Sequence, residues 1–284
     1  MLNLGLGIKG KKLGGGGGMA ATFMDTLGIA NDATTYNTGT PYELTGSELW
    51  SAISDLSTVI EDNNLQSKIV CLHPYIGGTS TFHKYNLIDP TAFELTFYGG
   101  FIHDGRGIVP NGTNAYADTG VTASDMVQDA TGWNFYSRTE KFGINYTKLS
   151  LGMRDDLGGL GYIQDYPNYK LENRRSGRCN TTTWTQWDTM TTTLRNQWTQ
   201  RVSATSVEAY EDKTYLGART NTSTGLALRN FFYCASSFGA TGAIEYSEYN
   251  HALTMIIKGV FTTVEREALT DAITAFQLAM LRNV

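Results

Sequence analysis

Apolar positions along this chain repeat with a period of two, then of three and four, then of two again, and these changes divide it. Leu2, Leu4, Leu6 and Ile8 alternate with other residues, as in a strand, and the run Gly14–Gly18 follows. Residues 19–68 read as helix and loop. Thr45-Gly46-Ser47-Glu48 is a capping box, and Leu49, Ile53, Leu56 and Ile60 form the apolar stripe of an amphipathic helix that exits at Asn63-Asn64. The spacing predicts that this helix packs on a neighbouring unit.

From Lys68 onward the runs are short, rich in β-branched and aromatic residues, and punctuated by Gly, Asn, Asp and Ser. Roughly ten strands with no helix between them predict a mainly β chain folded as an antiparallel sandwich. In the run 251–259, Leu253, Met255 and Ile257 share one face and Thr254, Ile256 and Lys258 the other. The first is expected in the core and the second partly wet. A second capping box, Thr262-Thr263-Val264-Glu265, opens a closing helix over 262–283. Val264, Ala268, Leu269, Ala272, Ile273, Phe276 and Met280 form its expected buried stripe, with Arg282 complementing the helix dipole. The organisation is thus an arm (1–18), a helical linker segment (19–68) and a sandwich (69–284).

Composition narrows the function classes. The 284 residues carry a net charge of −5, and no basic patch follows the first dozen residues, so nucleic-acid binding is not expected. No apolar run approaches the ~20 residues of a membrane span. The opening residues lack the continuous apolar core of a secretory signal. Cys71, Cys179 and Cys234 are odd in number and lie far apart, which suits buried free thiols. Gly5-Leu6-Gly7-Ile8-Lys9-Gly10 spells a phosphate-loop pattern without the preceding strand, and Lys12 stands where a Walker loop needs Ser or Thr.

Three segments carry a resemblance. Tyr75, Gly77, Gly78, His83, Lys84, Asn86, Asp89 and Pro90 form the first, Pro110 to Asp118 the second, and Phe276, Gln277 and Arg282 the third. Together they resemble virion structural proteins of bacteriophages that infect Bacteroidetes, crAss-like phages and their relatives. The late strand running into a capped helix resembles laminin G-like and concanavalin-like jelly rolls. The resemblance implies a head fibre, capsid decoration or tail appendage, built as a homo-oligomer (trimer or dimer) among other virion proteins and assembled in the bacterial host cytoplasm. In such a particle the arm has a role. Leu2, Leu4, Leu6 and Ile8 would add to a neighbour's sheet edge, Lys9, Lys11 and Lys12 would meet an acidic surface, and the glycines would thread a narrow gap. Residues 174–200 match the family poorly, so no ligand residue is carried over there.

Chemistry is sparse. No Glu has an Asp two positions later, as laminarinase-like hydrolases require, and Glu208 and Glu211, like Glu245 and Glu248, are three apart, on opposite faces of a regular strand. His73, His83, His103 and His251 are scattered without a ligand motif and are expected in turns, in strands or at the surface. No catalytic residue, resident metal or cofactor is assigned; Ca²⁺ on Asn114, Asp118, Asp155 and Asp156 is the one cation considered. The matched turn residues have structural readings, with Asn111-Gly112 expected to make a tight reversal between strands. Sugar binding is the livelier candidate: Trp184, Trp187, Trp198, Tyr166 and Tyr169 lie among polar residues and either stack on pyranose rings of host surface glycans or fill the sandwich. A non-enzymatic virion component, a glycan-binding adhesin and a polysaccharide depolymerase are the three readings, in that order.

Overall fold

A computed structural model describes residues 18–37, 42–139, 148–154, 161–169, 174–187, 191–238 and 242–282, with only the backbone of Asn37, Asn168 and Tyr169. The arm residues Leu2, Leu4, Leu6, Ile8, Lys9, Lys11 and Lys12, with the phosphate-loop pattern, lie outside the described residues.

Helices α1 (Met19–Leu27) and α2 (Gly46–Asp62) flank a small β1 (Thr35–Asn37)–β2 (Leu44–Thr45) pair. Next come β3 (Ile69–His73), the single turn α3 (Ser80–His83), β4 (Thr96–Tyr98), β5 (Phe101–Asp104), β6 (Gly107–Pro110), β7 (Tyr116–Asp118) and β8 (Gly132–Ser137). The middle of the chain holds β9 (Leu151–Arg154), β10 (Tyr162–Tyr169), β11 (Arg174–Thr181), β12 (Thr185–Trp187), β13 (Arg195–Ser203), β14 (Ser206–Glu211) and β15 (Thr214–Thr220). It closes with β16 (Phe232–Tyr233), β17 (Ser236–Phe238), β18 (Gly242–Ile244), β19 (His251–Ile257) and α4 (Thr263–Ala279).

Two large sheets form the expected antiparallel sandwich. One runs β15-β14-β13-β8-β19-β6-β5, with β3 also on β19; the other runs β12-β11-β10-β9-β16-β7-β4, with β17 parallel to β9 and β18 on β17. Asn111-Gly112 does not make the expected reversal within one sheet. It lies between β6 and β7, which belong to different sheets. The Asn111 Oδ1 accepts the N–H groups of Thr113, Asn114 and Ala115, and Gly112 takes φ 74°, so the turn chemistry steers a crossing at the sandwich edge.

The core is double. Between the sheets pack Trp133, Phe135, Leu151, Met153, Ile163, Trp187, Val207, Phe231, Tyr233 and Ile256. Between the eight-stranded sheet and the helices pack Leu49, Ile53, Leu56, Ile60, Trp198, Leu253, Met255, Ile257, Leu269, Ile273 and Phe276. The eight-stranded sheet is therefore a middle layer. That corrects the reading of β19, all seven of whose residues are buried: Ile256 faces the other sheet, Leu253, Met255 and Ile257 face the helices, and Thr254 is not wet.

Both capping boxes form, at Thr45/Glu48 and Thr262/Glu265. On α4, Leu269, Ile273, Phe276 and Met280 are buried as expected, but Val264 is 75% exposed. The first-turn position of the stripe belongs to Arg266, three residues before Leu269, whose guanidinium lies 3.5 Å from the Tyr210 ring centroid. Arg282 is also reassigned. It is fully buried, and its guanidinium donates to the carbonyls of Gly105, Pro74, Ala252 and Tyr75, binding the chain end to three other segments rather than tuning a helix end.

Two further buried arginines join the sheets. Arg175 on β11 pairs with Asp165 at 2.8 Å and donates to the Trp198 and Tyr210 carbonyls of the opposite sheet. Arg201 on β13 reaches back to the Cys179 carbonyl and to Asn221. The three cysteines are buried free thiols as expected, and burial pushes Cys71 up to about 12 and Cys179 up to about 11.

Candidate site on the outer face of the nine-stranded sheet

Each sheet has one outer face. That of the eight-stranded sheet is occupied by α1, α2 and α4. Side chains on the other sheet's outer face follow from register. Ile163, paired with Met153 and Cys179, points into the core, so Tyr162, Gln164 and Tyr166 on β10, Arg154 on β9 and Arg178 on β11 point outward.

These residues form a ladder of alternating rings and cations. Arg154 lies 4.7 Å from the Phe238 ring centroid and 5.1 Å from that of Tyr162; Arg178 lies 4.9 Å from Tyr162 and 4.1 Å from Trp184. The order Phe238, Arg154, Tyr162, Arg178, Trp184 thus crosses four segments of chain. Each guanidinium plane is attracted to the π faces beside it. Trp184 is 37% exposed and meets the Tyr166 ring at 5.2 Å.

A polar group underlies the ladder. The Glu245 carboxylate accepts from the Tyr166 hydroxyl at 2.6 Å and from Gln164 Nε2 at 3.0 Å, which turns Gln164 Oε1 toward Arg178 Nη1 at 3.1 Å. Burial draws the Arg178 guanidinium below its ordinary range, with Arg154 adding to the effect while Tyr166 and Glu245 oppose it. Further along the same face Tyr98, Tyr116 and Phe232 stack at 4.7 and 4.8 Å, with Tyr98 exposed. Such a face can stack against flat apolar rings and donate hydrogen bonds at their edges.

Of the five candidate aromatics, Trp184 and Tyr166 come together here. Trp187 and Trp198 do not. Trp187 is in the inter-sheet core, its indole donating to the Gly217 carbonyl, and Trp198 packs under the helices against Phe261. Both point inward because strand alternation gave them the buried parity. The Tyr169 backbone lies in β10 and its side chain is outside the described residues. Arg154, Arg178 and Phe238 carry no signal in the sequence reading, and Glu245 enters it only through its spacing from Glu248. Arg174, Ser176 and Arg178 carry the outward parity of β11, a signal visible only once that strand is recognised.

Residues of the first resemblance segment hold loops. Asn86 is fully buried and accepts from the Leu72 and Ile88 amides, while Asp89 accepts from Thr91. The histidines are less scattered than their numbering implies. His73, His83 and His251 are fully buried, and His83 and His103 face each other with their Nδ1 atoms 3.1 Å apart. His73 Nε2 donates to the Phe93 carbonyl, so its Nδ1 accepts from the Tyr233 hydroxyl. Burial pushes His73 down to about 4 and His251 to about 3. Glu208 and Glu211 fall on opposite faces of β14, the first bonded to Tyr210 and the second to Thr191. Among the described residues no three His, Cys, Asp or Glu side chains group to hold a metal. Asn114 accepts from Gly100 and Asn111, and Asp118 from Asn230; Asp155 and Asp156 lie outside the described residues.

No family model matches the chain, and no curated protein matches it. Among solved structures it is similar to domain 4 of AbnA, a GH43 extracellular arabinanase from Geobacillus stearothermophilus in complex with arabinotriose. The TM-score is 0.50 at 11% identity, over 72% of this chain and 98% of that one. The receptor-binding domain of botulinum neurotoxin D matches at TM-score 0.48 and 5% identity, over 73% of this chain and 53% of the other. The binding domain of Paraclostridial Mosquitocidal Protein 1 matches at 0.47 and 8%, over 72% and 52%. The chain thus spans about half the length of the toxin domains. At these identities the likeness is one of fold: a jelly-roll β-sandwich.

Proposed function

We propose that this chain is a non-enzymatic glycan-binding module carried on a bacteriophage particle, as a head fibre, capsid decoration or tail appendage. Residues 1–18 attach it to other virion proteins, residues 19–68 brace it, and the sandwich displays its open sheet face to host surface glycans. One observation carries the reading: helices occupy one outer face of the sandwich, whereas the other bears the Phe238–Arg154–Tyr162–Arg178–Trp184 ladder. AbnA domain 4, a sandwich of this kind, is seen with arabinotriose. The particle assignment rests on the Tyr75–Pro90, Pro110–Asp118 and Phe276–Arg282 resemblance, and homo-oligomers fit the symmetry of such appendages.

The test uses particles assembled with variant chains. Trp184→Ala removes the exposed stacking ring and is expected to lower host-glycan binding about fivefold or more, since such contacts contribute about 1 kcal/mol or more. Deleting residues 1–18 is expected to leave particles without the chain while the isolated sandwich still folds. Undiminished glycan binding by Trp184→Ala sinks the binding face, and normal incorporation of the truncated chain sinks the anchor.

A further inference from the structure

The ladder's arginines differ from the three fully buried arginines described above, whereas Arg266, also buried, packs on the Tyr210 ring with its Nε and Nη1 likewise unmatched. Arg175 has a carboxylate and two backbone carbonyls, Arg201 has acceptors at Cys179, Ser203, Ala204 and Asn221, and Arg282 has four carbonyls. The fold satisfies those three with acceptors. Arg178 has a single neutral acceptor, Gln164 Oε1, and Arg154 has none among the described residues; the Nε of each is an unmatched donor. Neither forms an ion pair among the described residues. The nearby carboxylate, Glu245, is engaged by Tyr166 and Gln164.

A guanidinium held between aromatic faces has its plane fixed and its N–H groups directed outward from the ring edges. That arrangement suits a planar carboxylate approaching in the same plane, through charge-assisted and often paired hydrogen bonds. Two such cations flank the Tyr162 ring, so the face offers positive charge on a chain whose net charge is −5. Phosphate would also accept from guanidinium, but the ladder intersperses cations with rings, which matches a polymer that presents sugar faces and in-plane carboxylates together. The sheet gives it length: from β4 to β12 there are six strand spacings, about 29 Å at ~4.8 Å each, with Tyr98 and Tyr116 towards one end and Trp184 at the other.

We propose that the outer face of the nine-stranded sheet binds an acidic polysaccharide whose sugars carry carboxylates, with Arg154 and Arg178 as the carboxylate receptors and Trp184 as a stacking platform. The proposal rests on the glycan-binding reading above and assigns its substrate class.

The test compares polymers that differ in charge alone. Polygalacturonate, alginate and hyaluronate are each titrated into the full chain beside their methyl-esterified forms, with polyphosphate as the non-sugar anion. At least one acidic polymer is expected to bind ten-fold or more tighter than its ester, with affinity falling as salt is raised. Arg178→Gln and Arg154→Gln are each expected to lose about tenfold for the acid and nothing for the ester, their melting temperatures confirming the fold. Equal binding of acid and ester, or the absence of binding by all three acids, overturns the carboxylate assignment. Binding of polyphosphate in preference to the acids overturns it in favour of a phosphate ligand. If esters bind and Trp184→Ala weakens them, the glycan-binding reading survives that failure; if Trp184→Ala changes no glycan's binding, both fall.

Discussion

Arginine plays opposed parts in this molecule, and the difference is set by what each guanidinium can reach. Arg282 is buried without a carboxylate in contact among the described residues, and desolvation draws it down to about 9. Its stability comes from carbonyls on three segments, so removing it strands those acceptors as well as the charge's partners. Arg282→Ala is expected to lower the unfolding free energy by about 3 kcal/mol or more in urea titrations, and Arg282→Lys to recover only part, because one ammonium cannot address four separated carbonyls. A loss below about 1 kcal/mol contradicts the clasp. Tryptophan shows the same dependence on place: Trp184 and Trp187 are three apart, one half-exposed over Arg178 and the other in the core. Residue type suggested stacking for both; parity separates them.

Among the elements, the two long helices were legible because their signals are local. Each opens with Thr and Glu three apart, and in each the pair closes reciprocally on the backbone. At the second, Glu265 also takes Lys68 at 2.7 Å, and this tie with the cap outweighs partial burial to hold its carboxyl below the ordinary range. Thr262→Ala is expected to cost about 1 kcal/mol, whereas Val264→Ala, at an exposed position, is expected to stay within about 0.5 kcal/mol in the same urea titration. Strands were found as runs, but their sheet membership was not. Asn111-Gly112 has the composition of a hairpin turn and serves a crossing between sheets, because the partners of β6 and β7 lie elsewhere in the chain.

At the scale of the whole molecule, the layered fold encloses three histidines, His73, His83 and His251. His83 is held well below its ordinary range by burial, with His103 and Arg282 adding repulsion; His73 and His251 are lowered by burial. Unfolding frees each to bind a proton near pH 6.5, so the unfolded chain takes up more protons than the folded one below that pH. Stability is therefore full above about pH 7 and falls as pH drops through 6.5 toward 4, by up to about 1.4 kcal/mol per pH unit for each of the three. The hydroxyl and carbonyl partners of His73 and His251 carry no negative charge, and among the histidines the Asp104 carboxylate bears on His103. Urea midpoints at pH 7.5, 6 and 5 should decline steeply; a flat profile across that range refutes neutral burial of these side chains.

Taken by itself, the amino-acid order determined the sandwich class, both capped helices, the free thiols and the aromatic character of residues 162–187. These depend on neighbours within a few positions, where backbone geometry fixes what can touch. Tertiary structure alone decided that β19 lies in a middle layer, that Trp187 and Trp198 are core while Trp184 is surface, and that Arg154 joins Arg178 across Tyr162. Those outcomes depend on which strands pair and which sheet the helices cover. Pairing brings together residues remote in sequence, and no local period encodes which remote partner a strand will meet.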